Sequence, residues 1–150
     1  MASYHFHLTQ VKRSRGQSVI AQAAYRAGEK LYSTYYGESS DFTRKRGVVM
    51  AEICLPDHAP REYADRETLW NALEWAESGR KAQLAHSFDI TLMNEFSMEE
   101  NIEMVRAFVQ EELVSRGMIA DFAIHDPVRP KGAEPNPHIH ILVPIRPLKE

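Results

Sequence analysis

Two stretches near the C-terminus decide the fold: Met118-Ile119-Ala120-Asp121-Phe122-Ala123-Ile124-His125 and His138-Ile139-His140-Ile141-Leu142-Val143-Pro144-Ile145. Both are short apolar runs bounded by turn signals, with Gly117 before the first and a segment rich in Pro, Gly and charge, 126–137, between them. That pattern reads as two strands. Consecutive strands joined this way pair as an antiparallel hairpin with a long loop. Side chains alternate faces along a strand, so His138 and His140 share one face and Ile139 takes the other. Antiparallel pairing then brings His125, at the end of the preceding strand, beside them. Three neutral imidazoles with open coordination positions describe a catalytic metal site rather than a closed structural one. A lone His-x-His arises readily by chance, and the third histidine gives the cluster its weight.

Working outward, residues 85–93 alternate His86, Phe88, Ile90 and Leu92 against Ser87, Asp89 and Thr91, the pattern of a strand. Its Asp89 is a candidate to orient a metal-bound imidazole through the free ring N–H, or is an exposed strand carboxylate. Ser97-Met98-Glu99-Glu100 is a capping box opening a helix with Ile102, Val105, Val109 and Leu113 at 3/4 spacing, and Gly117 is a plausible stop. A further helix is predicted over 65–77, with Leu69, Trp70 and Leu73 as its apolar positions and Gly79 past its end. Residues 47–55 read as a strand stopped by Pro56, and 31–42 as a loop without sustained period. The Ala-rich run 18–30 reads as a helix that carries Tyr25, and 4–11 as a first strand followed by a turn at 12–16. The order β, α, β, α, β, α, β, β predicts an α+β domain. Its central antiparallel or mixed sheet has about five strands, with helices mainly on one face.

The 150 residues, 43% hydrophobic and 26% charged, suit one soluble globular domain. The single cysteine, Cys54, permits no intramolecular disulfide and reads as a buried core residue in a reducing cytosol. No signal pattern and no apolar run of about 20 residues is present, which excludes secretory and membrane readings and predicts a cytoplasmic protein. A formal net charge of -3 counts against nucleic acid as a partner. Basic residues nevertheless gather at Lys12, Arg13 and Arg15, at Arg44, Lys45 and Arg46, and at Arg129 and Lys131, while acidic ones concentrate over 62–112. An acidic domain can still present one basic face; solvated loop charge is the alternative.

By composition alone, Tyr25 on an Ala-rich helix is a core aromatic. His5 and His7 form a second same-face pair, read as polar-face residues rather than members of the cluster. The larger pattern, however, resembles a known family. Tyr4-His5-Phe6, the run Ser18-Val19-Ile20-Ala21-Gln22-Ala23-Ala24-Tyr25-Arg26-Ala27-Gly28-Glu29-Lys30-Leu31, the run Phe42-Thr43-Arg44-Lys45-Arg46-Gly47-Val48, Leu69-Trp70-Asn71-Ala72-Leu73-Glu74 and Asn136-Pro137-His138-Ile139-His140 occur in its order. Together they are similar to the MobA/MobL (MobQ-type) relaxases, within the HUH endonucleases.

The resemblance implies a palm-like HUH fold in which Tyr25 is the nucleophile and His125, His138 and His140 bind a divalent metal, Mn²⁺ or Mg²⁺, with Zn²⁺ or Ni²⁺ as in vitro substitutes. Asp89 would stand where the family usually carries Glu. The implied reaction is site- and strand-specific nicking and rejoining at a plasmid origin of transfer through a 5′-phosphotyrosyl intermediate. Its partners would be single-stranded or melted origin DNA, accessory mobilisation proteins and a coupling protein. Arg13, Arg15, Arg26, Arg44, Lys45 and Arg46 are the candidate DNA contacts, and Tyr32, Tyr35 and Tyr36 candidate stacking platforms. Residues 1–150 would form the nicking domain, an N-terminal part of a longer protein. The competing readings are a rolling-circle replication initiator, a non-catalytic origin-binding repressor, and a metal hydrolase using activated water.

Overall fold

In the computed structural model, residues Ala120–His125 and His138–Pro144 pair antiparallel, with Asp121 opposite Leu142, Ala123 opposite His140 and His125 opposite His138. The structure describes residues 6–16, 18–77, 79–93, 95–127, 132 and 136–147. The elements are β1 (Phe6–Lys12), α1 (Val19–Ala27), β2 (Lys30–Ser33), β3 (Glu38–Asp41) and β4 (Val48–Cys54). They continue with α2 (Arg66–Ala76), β5 (Gln83–Thr91), α3 (Met98–Glu112), β6 (Ala120–His125) and β7 (His138–Pro144). Five strands form one sheet in the order β1-β5-β7-β6-β4, every neighbouring pair antiparallel. This is the α+β architecture expected from the sequence, without a parallel pair in the sheet.

Strand alternation sorts the apolar residues into two cores. On one face, Val19, Ile20, Ala23 and Ala24 of α1 and Leu69 and Trp70 of α2 pack on Val11, Leu84, Ala85 and Leu142. On the other, Val105 and Val109 of α3 pack on Phe122, Ile124, Ile139 and Ile141. Two of the three helices therefore share a face, and α3 covers the opposite one. The capping box is present: Ser97 accepts from the Glu100 N–H, and Glu100 accepts from the Ser97 N–H.

Residues 31–42 are not an irregular loop. They form the β2–β3 hairpin, with Lys30 opposite Asp41 and Ser33 opposite Glu38. The hairpin is polar and exposed on most positions, so it has no apolar period to read. Side chains of α2 hold it instead: Asn71 donates to Tyr32 O and accepts from Thr34 N–H, and Glu67 accepts from Tyr32 N–H. Cys54 also departs from the expected core position. It is only half-buried, beside Glu52, and burial and that carboxylate push its thiol up to about 11.

At nine residues, α1 is too short to be stable alone, and its ends are fixed by tertiary contacts. Ser18 caps its N-terminus, and the buried Glu74 of α2 accepts from both Ser18 Oγ (3.0 Å) and Ile20 N–H (3.2 Å), placing a carboxylate at the positive end of the helix. Its C-terminus ends on Gly28, at φ 68°, where a Cβ would lie 3.2 Å from Val48 Cγ2. The segment connecting β1 to α1 ties into α2 as well. Arg13 is buried and donates to the carbonyls of Glu74 (2.7 Å), Glu77 (2.8 Å) and Gly79 (3.0 Å), closing the C-terminal end of α2.

Asp121 locks these layers together. It is buried on β6 and accepts from Arg66 Nε (2.8 Å), Arg66 NH2 (2.9 Å) and Trp70 Nε1 (2.8 Å), while Arg66 NH1 reaches Glu29 just past α1 (2.8 Å). Removing one partner of a buried pair leaves the other charge uncompensated, at a cost of roughly 3–5 kcal/mol. Asp121→Ala is accordingly expected to lower unfolding stability by about that amount in denaturant titration, and Asp121→Asn by less, because an amide oxygen still accepts from Trp70.

Candidate functional site

The face of the sheet that carries α1 and α2 is apolar at one end and polar at the other. Along β5, Ala85 is buried under the helices, and Ser87, Asp89 and Thr91 follow on the same face. Across from them stand Leu142, His140 and His138 of β7, then Asp121, Ala123 and His125 of β6, and on the outer side Thr9 and His7 of β1. The helices cover the Leu142 end and leave the histidine end as a polar platform. His7 lies directly opposite Asp89, so it belongs to this platform rather than to an unrelated polar face. His5, its sequence partner, lies outside the described residues, as do Tyr4, Arg129 and Lys131.

The hairpin brings His125 to the other two as the strand pairing required. The His125 and His140 ring centroids are 4.4 Å apart, and those of His138 and His140 6.0 Å. Ala123, opposite His140, leaves room between the rings. His125 Nε2 lies 2.7 Å from Arg26 O. A carbonyl only accepts, so Nε2 carries the hydrogen and Nδ1 keeps a free lone pair. His140 Nδ1 lies 2.5 Å from Asp89 Oδ1, and donation from Nδ1 leaves Nε2 free to ligate. Aspartate at residue 89 is thus long enough to reach the imidazole.

Burial on the platform favours the neutral form of His125 and His138. Burial pushes His125 down to about 4, against a contribution from its bond to Arg26 O, and burial and His140 lower His138. Burial alone would raise Asp89, but its bond to His140 and the charges of His140, Arg26 and His7 outweigh this and hold it below the usual carboxylate range.

Metal ligation at about 2.1 Å places two imidazole centroids roughly 4.5–5 Å apart. The His125–His140 pair, at 4.4 Å, is slightly closer than that, and the His138–His140 pair, at 6.0 Å, is farther apart. Among the described residues no three His, Cys, Asp or Glu side chains converge closely enough to hold an ion as they stand. The donor set fits a divalent metal in its chemistry: imidazole nitrogens on one face, and one ring steered by a carboxylate.

Tyr25 is not in the core. Its side chain is 48% exposed on the last turns of α1, with its ring edge-on to Phe42 at 5.3 Å. The next residue, Arg26, ties that turn to the platform. Its carbonyl meets His125, its NH2 donates to Ser87 Oγ and its NH1 to Gln22.

The basic residues separate into three groups. Arg15, Arg44 and Arg46 are exposed and available to phosphate. Arg13 is a correction: its NH1 and NH2 groups donate to backbone carbonyls and its guanidinium lies over Tyr35. Arg26 is corrected likewise, because its side chain is turned inward to Gln22 and Ser87, and burial lowers its pKa. Lys45 folds back onto Tyr25, with Nζ 3.5 Å from the ring centroid and donating to Tyr25 O at 2.8 Å. Tyr35 packs against Tyr36 and Trp75 as well as Arg13, so its role is largely structural. The contacts of Arg26, His7 and Lys45 to the site were hidden in the sequence because they depend on strand order and a turn.

In the metal-free protein, His125 links folding to pH. Its folded value of about 4 lies below the 6.5 of a free histidine, so the native state binds fewer protons than the unfolded chain between these values. Stability therefore rises with pH through that window and is lost as pH falls across it, by at most about 3 kcal/mol. His125→Gln should flatten this acid limb in denaturant titrations, and the wild-type His125 ring should keep its neutral NMR shifts down to about pH 5.

A sequence profile of the MobA/MobL family matches residues 17–150. The "Conjugal transfer protein TraA" of Rhizobium radiobacter is 38% identical over 160 residues, covering 100% of this chain and 14% of the relative. The "Probable mobilization protein MobA" of Bifidobacterium longum is 36% identical, covering 97% and 25%. The "43 kDa relaxation protein" of Salmonella typhimurium is 31% identical, covering 95% and 34%. The chain thus spans between about a seventh and a third of these relatives' lengths. A solved structure reported as "Molecular Basis of Vancomycin Resistance Transfer in Staphylococcus aureus" superimposes with a TM-score of 0.88 at 34% identity, over 99% of this chain and 73% of the other. The profile spans the tyrosine helix, the 42–48 turn and the histidine hairpin alike, and the chain belongs to the MobA/MobL family.

Proposed function

We propose that this domain nicks and rejoins one DNA strand at an origin of transfer, with Tyr25 as the nucleophile. The observation that carries the reading is the placement of an exposed tyrosine one residue before Arg26, which bonds both His125 and Ser87 on the face of Asp89, His138 and His140. Relatives named for conjugal transfer, mobilisation and relaxation support it.

A phosphodiester is anionic and repels nucleophiles, so cleavage needs its oxygens neutralised and the attacking group held in line. A divalent metal on His125 Nδ1, His140 Nε2 and His138 would supply the positive charge at the phosphate. Asp89 holds the His140 ring with Nε2 free, and Arg26 O does the corresponding service for His125. Tyr25 Oη loses its proton and bonds to phosphorus as the P–O3′ bond breaks, and the departing oxygen takes up a proton to give a 3′-hydroxyl. The phosphotyrosyl bond conserves the energy of the broken one, so rejoining runs the same steps backwards. The strand must be single or melted at the cut to reach a platform on one sheet face. Exposed Arg15, Arg44 and Arg46 would contact its phosphates. The protein works in the cytoplasm alongside accessory mobilisation and coupling proteins, and among the described residues no helix is long and apolar enough to cross a membrane.

Incubating the protein with a labelled origin strand and Mn²⁺ is expected to yield a covalent adduct that Tyr25→Phe abolishes and that EDTA prevents. Turnover surviving Tyr25→Phe would point to a hydrolase, and metal-independent binding without cleavage to a repressor. Asp89→Ala, which removes the carboxylate that orients His140, should weaken metal affinity by about 10–100-fold, measured by calorimetry. Arg44→Ala and Arg46→Ala should each reduce the slope of log affinity against log salt by about 0.7.

A further inference from the structure

The turn that follows β3 closes around the Tyr25 ring. Asp41 accepts from both the N–H and the hydroxyl of Thr43, Lys45 N–H donates to Phe42 O, and Phe42 N–H donates to Glu29 O just beyond α1. Phe42 and Lys45 are thereby held in one turn, tied to the helix that carries the tyrosine. Phe42 meets the Tyr25 ring edge-on, at an interplanar angle of 89°. The Lys45 ammonium lies over the ring face, 3.5 Å from its centroid, and donates to the Tyr25 carbonyl.

We propose that Lys45 is a positioning residue for Tyr25, clamping its ring through the ammonium group and favouring negative charge on the phenolic oxygen, rather than a contact to DNA phosphate. This rests on the reading of Tyr25 as nucleophile. A lysine that binds phosphate extends into solvent, whereas this one is folded back and partly buried. A cation over an aromatic face is attracted by the ring's negative face, which fixes the orientation of an otherwise half-exposed ring. In cleavage the phenolic oxygen gives up its proton and bonds to phosphorus as the P–O3′ bond breaks. In rejoining the 3′-hydroxyl gives up its proton as its oxygen attacks phosphorus, the Tyr25–phosphorus bond breaks, and that bond's electron pair returns to the phenolic oxygen, which then takes a proton. Negative charge passes through the phenol in both directions. Burial and the charge of Arg26 bring Lys45 down to about 8, which leaves the ammonium form in the majority at neutral pH. Arg26 cannot substitute, since its NH1 and NH2 groups are bonded to Gln22 and Ser87.

The test compares Lys45→Met and Lys45→Arg with the wild-type chain, using a single-stranded origin oligonucleotide and ¹³C-labelled tyrosine, with Tyr25 assigned as the signal lost in Tyr25→Phe. Lys45→Met is expected to slow cleavage and rejoining at saturating DNA by about 10–100-fold, with little change in KM or in the salt dependence of binding. The Tyr25 ring signal should shift, and Lys45→Arg should restore most of the rate. Unchanged rates at saturating DNA, with weaker binding and a salt slope smaller by about 0.7, would identify a phosphate contact and overturn the proposal. An unmoved Tyr25 signal would overturn it too. An adduct that persists in Tyr25→Phe would instead sink the nucleophile reading, a result the Lys45 variants cannot produce.

Discussion

A carboxylate without a strong partner does not survive in an interior, and Asp121 sits on a central strand beneath two helices. Arg66 and Trp70, four residues apart on α2, aim their N–H groups at it from one helix face, and the remaining Arg66 arm takes Glu29 at the exit of α1. One buried group thus sets the height of α2 over the sheet and the point where α1 ends. Glu74 acts similarly at the other end of α1, and Arg13 finishes α2. Glu74 and Glu29 are scaffold that carries the tyrosine helix to its place.

The same alternation that builds this scaffold builds the platform. On β6, Asp121, Ala123 and His125 lie on one face in succession, and their roles run from structural anchor to spacer to candidate ligand over a short length of strand. Where α1 and α2 cover the sheet, polar groups on that face are locked in bonds to the helices. Where they stop, the polar groups are the platform. Arg26 bridges the two regions, its backbone on the histidine side and its guanidinium directed at Ser87.

Much of this was legible in the sequence because it follows from period and pairing. His138 and His140 share a face by strand geometry, and His125 joined them once the hairpin formed despite the long connection at 126–137. The capping box at Ser97 and the apolar stripe of α3 are local signals and were read directly. The β2–β3 hairpin was missed because Asn71 and Glu67, distant in the chain, supply what an apolar face usually supplies. Arg13, Arg26 and Lys45 were classed with exposed basic residues because charge is visible in a sequence and the direction of a side chain is not. Tyr25 shows the opposite limit. Composition placed it in the core, while the family pattern pointed outward, where the structure has it.

The bonds on either side of Tyr25 have a mechanical consequence. Its own carbonyl is held by Lys45, the next carbonyl by His125, and the helix stops two residues later on a glycine packed against Val48. The segment has little freedom to swing toward a distant phosphate. In a cleavage complex of the proposed kind, the compliant partner would be the nucleic acid, whose backbone would have to bend to the tyrosine. A stacked duplex resists such local distortion and a melted strand does not. Preference for single-stranded substrate would then originate in the stiffness of the protein as much as in the shape of its surface.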